Sequence, residues 1–185
     1  MNDFVVVGCS LGGFRAVGTL LTGLPAGFAT PLAIVQHRAA HGTEELCAAM
    51  QRCCALPVVE ASDKQRLAPG HVYIAPAGYH LLVDDEEFSL SVDDPVNFAR
   101  PSIDVLFESA ALSFGARTVA VVLSGASRDG SEGARAVLAR GGRVIVQDPA
   151  EAECHVMPAA AQHPNTVALA LADIAPWLVG HAQAR

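Results

Sequence analysis

The apolar run Phe4-Val5-Val6-Val7 leads directly into Gly8-Cys9-Ser10-Leu11-Gly12-Gly13, and helical spacing begins at Phe14. No other stretch constrains the fold as far. A strand that passes into a helix within a few residues must bend sharply and bring the helix close to the strand, which glycines permit and side chains obstruct. Such a turn leaves Ser10 with its hydroxyl exposed just past a strand end.

Two further strand-like runs end on reactive side chains. Leu32-Ala33-Ile34-Val35 is followed by Gln36-His37, and the run from Val119 to Leu123 by Ser124-Gly125-Ala126-Ser127-Arg128-Asp129-Gly130. In an open parallel sheet, sites form outside the carboxyl ends of the strands where strand order reverses. If the first strand is central, with the second on one side and the Val119 strand on the other, Ser10 lies between His37 and Asp129. These are the group types of a nucleophile, a base and an orienting carboxylate. Their chain order differs from the serine, acid, histidine order of the α/β-hydrolases. Each residue also has a plainer reading: Ser10 as an anion-cradling or helix-capping serine, His37 as a loop histidine, Asp129 as a turn aspartate before Gly130.

Composition narrows the rest. The 185 residues are 51% apolar, enough for one domain with a covered sheet. Twelve Lys and Arg stand against 19 Asp and Glu, a formal charge of −7, and no window joins basic with aromatic residues, which argues against a nucleic-acid partner. No apolar run approaches the roughly 20 residues of a membrane span and no signal-peptide pattern opens the chain, so a cytoplasmic protein without membrane insertion is expected. The five cysteines form no CxxC pair, and the seven histidines are scattered. Buried reduced thiols, no metal and no cofactor are the expectation. Cys9, beside Ser10, is read as pointing back toward the sheet rather than acting as nucleophile.

Along the chain, strands and helices alternate. Val17, Leu20, Leu21 and Leu24 mark a first helix ended by Gly23 and Pro25; Thr43, Glu44 and Glu45 open a second that reaches about Cys54. Pro57 to Glu60 and His71 to Ala75 read as short strands. Leu81 to Val83 and Phe88 to Val92 read as an antiparallel hairpin about the acidic stretch Asp84-Asp85-Glu86-Glu87, which is a charged turn or a docking surface. Ile103, Leu106, Phe107, Ala110, Ala111 and Phe114 mark one face of the clearest helix, opened by Arg100-Pro101-Ser102, and core burial accounts for that face fully. A helix from about Ser131 to Arg140, a strand from Arg143 to Gln147, a short helix after Pro158, a strand from Thr166 to Leu169 and a helix from about Ile174 to Val179 complete the chain. The expected fold is α/β: a doubly wound, mostly parallel sheet in a Rossmann-like three-layer arrangement, with an appended antiparallel hairpin. Dinucleotide binding fits poorly, because Gly8 to Gly13 lacks the G-x-G-x-x-G register and Gln36-His37 supplies no acid for a ribose hydroxyl.

These motifs resemble the catalytic domain of the CheB chemotaxis receptor methylesterases over nearly the whole chain. The matching segments are Gly8 to Gly13, Gln36-His37, the block from Arg100 to Ala111, Asp129-Gly130 and Val156-Met157-Pro158. The resemblance implies hydrolysis of γ-glutamyl methyl esters, and deamidation of glutamines, on the cytoplasmic helices of methyl-accepting chemoreceptors or a receptor-like signalling protein. It implies a triad of Ser10, His37 and Asp129, with backbone amides of His37 and Ala126 binding the oxyanion. Leu11, Gly12, Gly13, Arg38 and Met157 would line the cleft, Met157 also being suited to packing and Arg38 either to steering an acidic surface or to simple solvation. The sequence departs from the family pattern at Leu11, at Arg38-Ala39 and at Ala126-Ser127, which leaves open a non-catalytic regulatory homologue of the same fold. The expected organisation is one domain over 1–185 without a receiver domain, so phosphorylation control would come from a separate receiver domain or a sensor kinase.

Overall fold

The computed structural model describes residues 3–38 and 43–184. Its strands are β1 (Phe4–Cys9), β2 (Leu32–Gln36), β3 (Val58–Glu60), β4 (Val72–Ile74), β5 (His80–Asp84), β6 (Glu87–Ser91), β7 (Thr118–Val122), β8 (Arg143–Gln147) and β9 (Val167–Leu169). Its helices are α1 (Gly13–Thr22), α2 (Thr43–Gln51), α3 (Ile103–Phe114), α4 (Ser131–Ala139), α5 (Val156–Ala160) and α6 (Leu171–Gln183). Seven strands form one parallel sheet in the order β3-β4-β2-β1-β7-β8-β9. β1 is central between β2 and β7, and the order reverses there, as the doubly wound reading requires.

The strands read as unbroken apolar runs because both faces of the sheet are covered. Successive side chains of β1 point to opposite faces. Val5, Val7 and Cys9 join α1, α2 and α6 in one core layer, while Phe4 and Val6 join α3, α4 and the hairpin in the other. In α3, Ile103, Leu106, Phe107 and Phe114 are buried, each contributing roughly 1.5–3 kcal/mol of hydrophobic stabilisation.

The hairpin β5–β6 is a separate two-stranded sheet rather than an extension of the main one. It rests on α3: Leu81, Val83 and Phe88 enter the core layer, Ser109 Oγ accepts the Val83 amide at 3.1 Å, and Ser113 Oγ accepts the Asp85 amide at 3.2 Å. Its tip pairs Asp84 with Glu87 and carries Asp85 at φ 53°, so the acidic stretch is an exposed turn. His71 to Ala75, by contrast, feeds the parallel sheet through β4. The Thr43 cap and the Glu44 side chain lie outside the described residues. Among the described residues no helix is long and apolar enough to cross a membrane.

Candidate active site

Ser10 follows the last residue of β1 on a turn held from both sides by Ser124. The Ser10 amide donates to the Ser124 carbonyl at 2.9 Å, and the Ser124 hydroxyl donates to the Leu11 carbonyl at 2.7 Å while accepting the Cys154 amide at 2.9 Å. Gly12 sits at φ 78°, where a Cβ would also lie 2.7 Å from Ser124 Oγ. Gly13 brings α1 against β1, since a Cβ there would lie 2.7 Å from Cys9 Sγ. Burial pushes the Cys9 thiol up to about 12, against a smaller pull from Arg38, so it is a buried thiol and no nucleophile at neutral pH.

His37 leaves β2 beside this turn. Its ring Nε2 lies 2.7 Å from Asp129 Oδ2, with the imidazole 14% exposed and the carboxylate wholly buried. With Nε2–H donated to the aspartate, Nδ1 is the nitrogen left to act as base, the reverse of the ring orientation in the serine-protease template. The Ser10 side chain makes no hydrogen bond to His37 among the described residues. Loop placement alone brings hydroxyl and imidazole to the same rim, a separation that apo enzymes commonly close on binding substrate.

Asp129 is the best-anchored group of the set. Oδ2 accepts His37 Nε2 and the Ile103 amide, both at 2.7 Å; Oδ1 accepts the Ser102 hydroxyl at 2.8 Å, the Asp104 amide at 3.1 Å and Asn97 Nδ2 at 3.3 Å. Two of these donors are first-turn amides of α3, which lack intrahelical partners and form the positive end of the helix dipole. Burial alone would push this carboxyl up. The bonds from His37, the Ile103 and Asp104 amides and Ser102 outweigh it and hold the group down at about 2. Its neighbour Asp104 goes the other way, to about 6, because of burial first and the Asp129 charge further on, opposed by the Gly133 amide at 2.7 Å.

Several expectations need correction. The His37 amide is spent on the Cys9 carbonyl at 3.0 Å, in line with the β1–β2 pairing, so it is not an available oxyanion donor. The amides of Leu11, Gly12 and Ala126 donate no hydrogen bond among the described residues, and Leu11, next to the serine, is the position that serves this role in other nucleophile elbows. Met157 is 1% exposed and packs under Gly125, supporting the Asp129 loop from below instead of lining the cleft. Arg38 does border the cleft, but its Nη2 donates to the Ala75 carbonyl at 2.6 Å, which directs the guanidinium to the end of β4. Core burial does not account for α3 fully either, since its first turn and Ser102 cradle Asp129. The signal for that role was a polar Ser102 and Asp104 at the head of an otherwise apolar helix.

A serine elbow and a histidine paired to a buried aspartate at the switch point place this molecule in the class of doubly wound α/β proteins with hydrolase-type loops. Comparison with known proteins narrows the class. Residues 5–178 match the CheB methylesterase family, and the chain belongs to that family. The crystal structure of the Thermotoga maritima CheB methylesterase catalytic domain superposes with a TM-score of 0.93 at 32% identity, covering 98% of this chain and 99% of that one. A relative from Leptospira interrogans is 40% identical over 166 residues, 89% of this chain and 86% of the relative. The protein-glutamate methylesterase FrzG of Myxococcus xanthus is 42% identical over 155 residues, 83% of this chain but 46% of its own length. The chain likewise spans 48% of protein-glutamate methylesterase/protein-glutamine glutaminase 1 of Paramagnetospirillum magneticum, at 36% identity over 184 residues.

Proposed function

We propose that the protein is a serine-dependent protein-glutamate methylesterase in chemotaxis-type signalling, releasing methanol from γ-glutamyl methyl esters on cytoplasmic chemoreceptor helices. The observation that carries this reading is the 2.7 Å His37–Asp129 bond, to a carboxylate held ionised by a full set of donors, on loops flanking the Ser10 turn. In the first step His37 Nδ1 takes the Ser10 proton as Oγ attacks the ester carbonyl. Asp129 fixes the imidazole tautomer and stabilises the imidazolium. The Leu11 and Ala126 amides suit the oxyanion, and one such donor is worth on the order of 100-fold in rate. The imidazolium then protonates departing methanol, and a water deprotonated by His37 releases the glutamate. The same sequence with ammonia as leaving group deamidates glutamine.

The test is methanol release from methylated receptor helices. Wild type is expected to be active and Ser10→Ala inactive with an unchanged Tm. Equal release by the two proteins removes serine catalysis. A fluorophosphonate that labels wild type at Ser10 separates the enzyme from a regulatory homologue that merely keeps the fold, which would give no adduct.

A further inference from the structure

The segment before α3 contains a two-residue reversal. Val96 and Ala99 exchange backbone hydrogen bonds at 3.1 and 2.9 Å, and the residues between them, Asn97 and Phe98, both have positive φ, 52° and 62°. Hairpin turns with positive φ at both central positions favour Asn followed by Gly. Asn97 suits its place. Phe98 does not, because a bulky β-carbon in the left-handed region is strained.

Nothing among the described residues offsets that strain. Phe98 is 105% exposed, so its ring packs on no described residue. Yet the segment around it is anchored on several sides. Asn97 Nδ2 donates to Asp104 Oδ2 at 2.8 Å and to Asp129 Oδ1 at 3.3 Å. Arg100 Nη1 donates to the Val92 and Asp93 carbonyls at 2.8 and 3.0 Å, and His80 Nε2 lies 3.1 Å from the Asp94 carbonyl. The turn borders the cleft that also contains His37, Arg38 and Ser127. An aromatic ring is thus projected into solvent from a strained backbone, at a position fixed relative to the carboxylate that holds His37. Strained residues persist where the surroundings over-determine them, and they gather at binding sites. An aromatic supplies large contact area with few rotors to freeze.

We infer that Phe98 determines specificity for the proposed methylesterase reaction, on which this inference rests: its ring seats against apolar side chains of the helix carrying the ester, while Asn97 fixes its distance from His37. The contact lies on the protein substrate beyond the scissile group, so Phe98 distinguishes a helical substrate from a small ester.

Phe98→Gly separates this role from a structural one because the two effects have opposite sign. Glycine relieves the positive-φ strain, and Tm is expected to rise by about 2–4 °C. The variant's kcat/KM for a synthetic helical peptide bearing one γ-glutamyl methyl ester is expected to fall roughly tenfold or more relative to its kcat/KM for p-nitrophenyl acetate, chiefly through KM. Phe98→Tyr, which keeps the ring, should retain the wild-type ratio. A ratio unchanged in Phe98→Gly overturns the inference, as does a lowered Tm. Those results leave the hydrolase intact, whereas a wild type that turns over neither ester overturns both readings.

Discussion

Replacing Asp129 by Asn exchanges one carboxylate oxygen for an NH2 group in a site built entirely of donors. With NH2 in the Oδ2 position, the Ile103 amide loses its acceptor and His37 must shift its proton to Nδ1, the tautomer that cannot act as base toward Ser10. With NH2 in the Oδ1 position, the Asp104 amide and Asn97 lose theirs, and Ser102 must turn from donor to acceptor. Either way at least one buried backbone amide is left facing another donor, which costs roughly 1–3 kcal/mol, and the remaining bonds lose their charge assistance. An independent route reaches a similar size. Lowering a carboxyl from 3.8 to about 2 corresponds to roughly 2–3 kcal/mol of folding stability.

Because the native value is depressed, this contribution is complete above the unfolded value and is lost as pH falls through about 2. Urea unfolding of wild type and Asp129→Asn should therefore differ by roughly 2–3 kcal/mol at pH 7 and by about half that at pH 3, where wild-type Asp129 is still ionised but the unfolded group is mostly protonated. Methanol release by the variant should fall on the order of a thousandfold or more. A stability gap that stays constant between pH 7 and pH 3 would refute the reasoning, since it would mean that the donors do not favour the ionised form.

Two further outcomes follow from the same geometry. Ser124→Ala removes the hydroxyl bridging the Leu11 carbonyl and the Cys154 amide, so urea unfolding should show a loss of roughly 1–2 kcal/mol; kcat should fall about tenfold with KM nearly constant, and an unaltered kcat would remove Ser124 as a brace of the elbow. Asp104, raised to about 6, keeps its proton in the native state between about pH 4 and 6 while the unfolded chain releases it, so its contribution declines as pH rises through that window. Asp104→Asn should abolish that decline in urea unfolding followed from pH 4 to 7; a slope unchanged in the variant would assign it to another group.

The sheet was legible because parallel strands buried on both faces, such as β7, which shares Val119 to Val122 with the apolar run Val119 to Leu123, are continuous apolar runs bounded by glycine and polar residues. Pairing was less so. Nothing local in His71 to Ala75 distinguishes a strand inserted between β2 and β3 from one that joins the following hairpin, because the partner is chosen by tertiary packing. Helix starts erred for similar reasons. α5 begins at Val156, ahead of Pro158, since a proline in the first turn forfeits no helical bond. α6 begins at Leu171, whose amide is received by the Glu151 carboxylate from a distant loop, and not at about Ile174. In the site, the order Ser10, His37, Asp129 could be read from strand ends. The donors around Asp129 could not, because Asn97, Ser102 and the head of α3 meet it only once α3 packs beside α4.

The central position of β1 also governs how the chain can be made. β1 is made before β2 and pairs with it over a short separation, but its other neighbour, β7, lies roughly a hundred residues further on. Until β7 arrives, an apolar strand destined for the middle of the molecule has a bare edge open to any passing chain. The nascent sheet is therefore most in need of chaperone shelter while the residues between β2 and β7 are being made, well before the Ser10 turn and Asp129 can meet.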